Sequence, residues 1–167
     1  MGKPRQPVPP EWKEKGLSYG SGLTLTAANR MIEAGEAEAR NQGLLMSIAV
    51  VDAGGHLVAF GRMDDAMLAS IQIALDKAYT SVYGKLPTTV WRDVFQSGEI
   101  PPLFIHERWT AFPGGFPIIK GKKLIGGLGV SGATAYGDTS VAREALNAGG
   151  FSTRDADALL AGLKEGG

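Results

Sequence analysis

Two pairs of apolar, β-branched segments, each joined by a short glycine-containing connection, constrain this fold more than any other feature. The pairs are Met46–Asp52 with His56–Met63, and Phe116–Lys120 with Leu124–Ser131. Segments of this composition predict strands. The connections, at Gly54-Gly55 and at Gly121, are too short for parallel neighbours, which need a crossover of about a dozen residues. The sequence therefore predicts two hairpins and an antiparallel sheet.

Apolar residues recur at helical spacing in the segments that lie outside the hairpins. One helix is predicted to begin at an N-cap Thr26 and to end before Gly43, and a longer one to span Met67 to Gly84. Their predicted buried faces are Ala28, Met31, Ile32, Gly35 and Ala39 in the first helix, and Leu68, Ile71, Ala74, Leu75, Ala78 and Val82 in the second.

Two further helices are predicted, a short one that Thr88 or Thr89 caps and that reaches Phe95, and another over residues 137–148. Hairpins, and not crossovers, join the strands in this order of elements. The order is therefore typical of the α+β class, with an antiparallel sheet and flanking helices.

The chain has 167 residues, which is an ordinary length for one domain. Residues 1–22 are rich in proline and charge, which predicts an extended N-terminal arm, and residues 23–167 are predicted to form a single domain. The arm carries Trp12, Leu17 and Tyr19, which are large apolar side chains that suit an interface with another subunit.

Charge and cysteine usage argue against several classes of function. The 17 basic residues balance 17 acidic ones, so the positive excess typical of proteins that bind nucleic acid or anionic membranes is missing. The chain has no cysteine for disulfides, thiolate catalysis or cysteine metal sites. No apolar run approaches the roughly 20 residues of a membrane span. No apolar stretch follows Lys3 and Arg5 as in a secretory signal, so a cytoplasmic protein is expected.

Lys77 lies in the middle of the predicted long helix and has two interpretations. As an exposed lysine it would pair with Asp76 or another nearby acid. As a buried lysine with a lowered pKa it could bind a carboxylate or form a Schiff base. Thr80, three residues on, shares that helix face. Spacing alone favours the exposed alternative.

The chain has two histidines, His56 and His106. His56 follows the Gly-Gly connection, and His106 lies in a proline-rich loop with Trp109 and Phe112. Histidine ligates haem and metals and acts as an acid or base near neutral pH. The alternative for each is a structural role, with His56 held by hydrogen bonds in a hairpin turn and His106 packed within its loop.

Several charged residues border the first hairpin. Asp52 and Arg62 could pair across it as a surface bridge worth about 0–1 kcal/mol, or serve in a pocket as acid/base and anion clamp. Asp64 and Asp65 are predicted mainly to cap the long helix and not to bind metal, because adjacent side chains diverge. Asp138 is predicted to cap the helix over 137–148.

Two glycine clusters suggest that the backbone there comes close to another group. The turn at Gly114-Gly115 could expose N–H groups to a carboxylate or phosphate. The segment Gly126–Gly132 lacks the Lys-Ser/Thr of a nucleotide-binding P-loop. Glycines within a strand suggest instead that a ligand or another subunit's backbone comes close.

Four segments together resemble the GlcG/HbpS-like family. They are SIAVVDAGGHLVAFGRMDDA at 47–66, ASIQIALDKAYT at 69–80, FPGGFPI at 112–118 and IGGLGVSGATAYGD at 125–138. The resemblance implies a profilin-like or roadblock-like domain, assembly into homo-oligomers, and haem binding as in several members. It also implies a ligand-facing Lys77, because the Lys-Ala…Thr pattern is part of the motif.

Two functions are expected from these features. The first is a protein that binds haem, a related tetrapyrrole or a small carboxylate, with His56, Arg62, Lys77, Thr80, His106, Gly114 and Gly115 as candidate binding residues. The alternative is a cofactor-independent isomerase, lyase or hydrolase of a small oxo- or hydroxy-acid or aromatic. Its candidate catalytic residues are Lys77, His56 and Asp52. The features favour ligand binding over catalysis. A third interpretation is an oligomeric scaffold or partner-binding module, which the aromatic residues of the arm would suit.

Overall fold

The computed structural model describes residues 22–98 and 106–153, and within them the chain forms a four-stranded antiparallel sheet. The strands are β1 (Ser47–Asp52), β2 (Leu57–Arg62), β3 (Gly115–Lys120) and β4 (Lys123–Ser131). Their spatial order is β2-β1-β4-β3, so β1 and β4 are central. The predicted hairpins and antiparallel sheet are confirmed. The predicted arm lies outside the described residues apart from Gly22.

The described residues also form four helices, namely α1 (Leu25–Asn41), α2 (Ala69–Tyr83), α3 (Thr88–Ser97) and α4 (Ala135–Ala148). Helices α1 and α4 pack together over one face of the sheet, and α2 covers the other face. The α+β class is confirmed. No helix within the described ranges is both long and apolar enough to cross a membrane.

Helix α1 buries the residues that its periodicity predicts, Ala28, Met31, Ile32, Gly35 and Ala39. The predicted cap is wrong by two positions. Thr24 is the N-cap, because its backbone is extended and its side chain accepts a hydrogen bond from the Ala27 N–H. Gly43 follows the helix with φ +67°, as its predicted role as a stop requires.

Helix α2 buries only part of the predicted face, namely Ala74, Ala78 and Val82. Leu68 is 72% exposed, and Ile71 and Leu75 are only half-buried. The residues that it buries are Ser70, Ala74, Lys77, Ala78, Tyr79, Thr80, Ser81 and Val82. Asp64 and Asp65 do not cap it, because the helix begins after Leu68, which makes no side-chain capping bond.

The glycines of β4 explain this difference. A Cβ at Gly127 would lie 2.5 Å from the Ala78 carbonyl oxygen, and a Cβ at Gly129 would overlap the Ala74 carbonyl oxygen. Helix α2 therefore lies directly on the backbone of β4, with small residues at the contact. The close neighbour of these glycines is a helix of the same chain, and not the ligand or second subunit that the sequence suggested.

Candidate ligand-binding site

A buried ion pair connects α2 to α4. Lys77 is 1% exposed and Asp138 is 4% exposed. Lys77 Nζ lies 2.5 Å from Asp138 Oδ2 and donates to the Val130 carbonyl oxygen at 2.8 Å. The exposed interpretation of Lys77 is thus wrong. The capping role of Asp138 is also wrong, because Thr134 caps α4 by accepting from the Gly137 N–H.

Burial governs the pKa values of this pair. It lowers the pKa of Lys77 and raises that of Asp138, and the attraction between the two groups opposes both shifts. Asp138 Oδ1 also accepts from the Ala133 N–H at 2.9 Å. Both side chains are therefore satisfied within the protein. A Schiff-base lysine must reach a substrate carbonyl, whereas the Lys77 amine is enclosed by its two acceptors, Asp138 and the Val130 carbonyl oxygen.

The Gly114-Gly115 turn packs against this pair. Gly114 has φ +115°, and a Cβ there would lie 2.7 Å from the Val130 oxygen and 3.2 Å from Lys77 Nζ. The N–H of Gly115 donates to Thr88 Oγ1 at 2.9 Å. This N–H is therefore not open to an anion, contrary to the prediction. Thr88 does not cap α3, whose N-cap is Pro87 without a side-chain bond.

The buried Thr88 hydroxyl gives a first testable prediction. Thr88→Val should lower the free energy of unfolding by about 1–3 kcal/mol, because it leaves the buried Gly115 N–H without an acceptor. Denaturant unfolding monitored by circular dichroism measures the change. Thr88→Ser keeps the hydroxyl and is the control. Equal stability of the valine and serine variants would show that the bond contributes nothing.

The C-terminal half of α2 carries an aromatic surface, here called the tyrosine face, made of Tyr79, Tyr83, His56, His106 and Arg108. Tyr79 and Tyr83 stack with ring centroids 4.1 Å apart. The His106 ring lies 5.6 Å from Tyr79, and the Arg108 guanidinium lies 4.0 Å from the centre of the same ring. Arg108 also lies 3.5 Å from Asp76. The surface thus combines aromatic rings with a cation.

The β1–β2 turn brings His56 to the same surface. Asp52 Oδ1 accepts from the backbone N–H groups of Gly54 at 2.8 Å and His56 at 3.0 Å, which fixes the turn. Gly55 has φ +78°, and a Cβ there would lie 2.9 Å from Tyr83 and 3.1 Å from Tyr79. The turn therefore rests on the tyrosine pair, and His56 is exposed beside it. The backbone next to His56 therefore packs against the surface that His106 also borders.

The remaining predicted site residues lie elsewhere. Arg62 pairs with Ser47 at the open end of the hairpin, whereas Asp52 is at the turn. Five residues of strand separate these ends by about 16 Å, so the predicted Asp52–Arg62 pair does not form. Thr80 is buried, and its Oγ1 accepts from the Thr110 N–H at 2.9 Å. The structure does not gather the predicted set around Lys77.

Sequence reasoning missed three members of the tyrosine face, namely Tyr79, Tyr83 and Arg108. The signal for the tyrosines was present, because residues four apart on a helix are neighbours. Arg108 follows His106 by two residues, and its N–H donates to His106 Nδ1 at 3.2 Å. The spacing of residues along the chain did not predict that the loop with His106 and Arg108 packs against α2.

A sequence model of the family described as haem degrading protein HbpS-like matches residues 23–147. The chain belongs to this HbpS-like family. A 15.0 kDa protein encoded in the dhaT–dhaS intergenic region of Citrobacter freundii is 38% identical over 128 residues, which cover 75% of this chain and 90% of the relative. The resemblance inferred from the four sequence segments is confirmed.

Two solved structures show the same HbpS-like fold. The Klebsiella pneumoniae protein ORFY has a TM-score of 0.74 at 31% identity, over 82% of this chain and 97% of that one. The PduOC:heme complex has a TM-score of 0.69 at 29% identity, over 80% of this chain and 95% of that one. The second structure is, by its description, a complex with haem.

Proposed function

We propose that the protein binds haem or a related tetrapyrrole at the tyrosine face. One observation carries the proposal: a stacked tyrosine pair, the His106 ring and the Arg108 guanidinium share a surface, and the turn at Gly55, next to the exposed His56, packs on the same tyrosines. Membership of the HbpS-like family and the likeness to a protein solved with haem support it. Within the described ranges, no observation favours the alternative of an enzyme built on Lys77.

The groups on this surface fit the chemistry of haem. Imidazole is a common axial ligand of haem iron. A ligating histidine usually donates its other ring N–H, whereas His106 Nδ1 accepts a hydrogen bond from Arg108. We therefore assign the ligand role to the exposed His56. Tyr83, which is 54% exposed, offers an aromatic wall to a porphyrin, and Arg108 offers a cation to its propionates.

Titration with ferric haem tests this proposal and is a second prediction. The protein should shift the Soret band of added haem and saturate at one haem per chain. His56→Ala should change the bound spectrum and weaken binding by about tenfold or more, because loss of even a second-shell partner of a metal-ligating histidine has that effect. His106→Ala should weaken binding less and retain the axial-ligand spectrum.

Matched arginine variants serve as the control. Arg108→Ala should weaken haem binding, whereas Arg62→Ala, at the far end of the hairpin, should leave it unchanged. The proposal fails if micromolar haem gives no Soret shift. It also fails if the His56→Ala protein shows the wild-type spectrum and affinity.

A further inference from the structure

We infer that Thr80 is a positioning residue for the tyrosine face, because its hydroxyl holds the loop that presents His106 and Arg108. The inference rests on the proposed function, which brings a haem or related ligand to this surface. Thr80 Oγ1 accepts from the Thr110 N–H at 2.9 Å and donates to the Arg108 carbonyl oxygen at 3.4 Å. These partners lie 30 and 28 residues from Thr80 along the chain. One hydroxyl of α2 therefore fixes the loop backbone on both sides of Trp109.

Thr80 acts on the ligand through this loop and not by direct contact. It is 0% exposed, so a molecule on the tyrosine face does not reach its side chain. A hydroxyl has one proton to donate, and the Arg108 carbonyl oxygen accepts it. Binding groups need support of this kind, because a site that is about 1 Å too loose loses function.

The loop is short enough for this support to reach both side chains. The Trp109 N–H donates to the His106 carbonyl oxygen at 2.8 Å, and the Arg108 N–H donates to His106 Nδ1 at 3.2 Å. His106 and Arg108 therefore belong to one hydrogen-bonded turn. Fixing the backbone of this turn also fixes the imidazole, whose ring lies 5.6 Å from that of Tyr79.

The same turn brings the Arg108 guanidinium to a defined place on α2. The guanidinium lies 4.0 Å from the centre of the Tyr79 ring. Its Nε lies 3.5 Å from Asp76 Oδ1, which also accepts from Gln72 Nε2 at 2.8 Å. Asp76 thus contacts Arg108 at Nε, and the terminal nitrogens carry further N–H donors for a ligand carboxylate. Without the bonds to Thr80, Arg108 would keep its charge and lose this placement.

Haem titration of Thr80→Val tests the positioning role. Valine has nearly the shape of threonine but no hydroxyl, so we expect haem affinity to fall about tenfold, as when a hydrogen bond to a charged group is lost. Thr80→Ser keeps the hydroxyl and should bind haem as the wild-type protein does. In an Arg108→Ala background, Thr80→Val should weaken binding by no more than about threefold, since the guanidinium that it positions is already gone.

Amide hydrogen exchange, followed by NMR on the haem-free protein, tests the bond to the loop itself. Thr80→Val should speed exchange of the Thr110 N–H by at least about tenfold, because this N–H loses its acceptor. Thr88→Val is the matched control for a general loss of stability. It removes another buried threonine hydroxyl, which bonds the Gly115 N–H, and should change neither Thr110 exchange nor haem affinity.

Three results would each overturn the inference. They are a Thr110 N–H that stays as protected in Thr80→Val as in the wild-type protein, a loss of haem affinity in Thr88→Val equal to that in Thr80→Val, and additive effects of Thr80→Val and Arg108→Ala. The exchange measurement needs no haem. A wild-type protein that binds no haem would therefore overturn the proposed function, while the Thr110 exchange rate would still test whether Thr80 holds the loop.

Discussion

Gly129→Ala is expected to lower the free energy of unfolding by about 3 kcal/mol or more, the upper range for overpacked cores. The added Cβ would overlap the Ala74 carbonyl oxygen and lie 2.5 Å from the Ala78 backbone nitrogen. Both atoms belong to the backbone of α2, so no side-chain rotation can relieve the overlap. The helix must move away from the sheet, which separates the small buried residues along its length.

Denaturant unfolding measures the free energy of unfolding of Gly129→Ala, and Gly22→Ala is the matched control. Gly22 has open space around its Cβ position, and its φ is not positive, so the same methyl group should change little there. If Gly129→Ala folds with wild-type stability, then α2 does not lie on the backbone of β4 as described.

Asp138→Ala is expected to cost about 3–5 kcal/mol, because it leaves the charge of Lys77 buried without its partner. For a chain of this size the melting temperature should fall by roughly 6–20 °C. The double variant Lys77→Met with Asp138→Leu should recover part of this loss, since apolar residues of similar volume often replace a buried ion pair with little cost. Thermal unfolding of all three proteins measures the effect.

The lysine side of the pair has its own matched control. Lys77→Met leaves the Asp138 carboxylate buried and should be strongly destabilising, whereas Lys122→Met alters an exposed lysine of the β3–β4 turn and should be near neutral. Lys77→Met would resemble Lys122→Met only if the Lys77–Asp138 pair were open to water. That result would contradict the burial on which the site description depends.

Local pattern predicted the elements well, and it predicted the face of α1 fully. Helix α1 is amphipathic, so its apolar spacing identifies its buried side without knowledge of its partner. For α2, apolar spacing identified Ala74, Ala78 and Val82 but not the whole buried face. It is set by the glycines of β4, and it buries a lysine whose partner lies 61 residues away along the chain. Spacing rules describe neighbours on one helix and carry no information about such a contact.

Of the candidate site, only the two histidines were predicted, and their arrangement was not. His56 and His106 were identified for their chemistry; the structure stacks His106 on Tyr79 and packs Gly55, the residue before His56, against Tyr79 and Tyr83. Their proximity depends on the path of the loop that contains His106, which no periodicity describes.

The position of β3 at one edge of the sheet bears on how the protein avoids aggregation. An edge strand presents unpaired backbone groups that can recruit a strand from another molecule. Pro117 lies within β3 and has no N–H, so the row of donors is interrupted there. A proline in either central strand would instead remove a ladder bond. Replacing Pro117 with a β-branched residue would add a donor to this edge and favour pairing with a strand of another molecule.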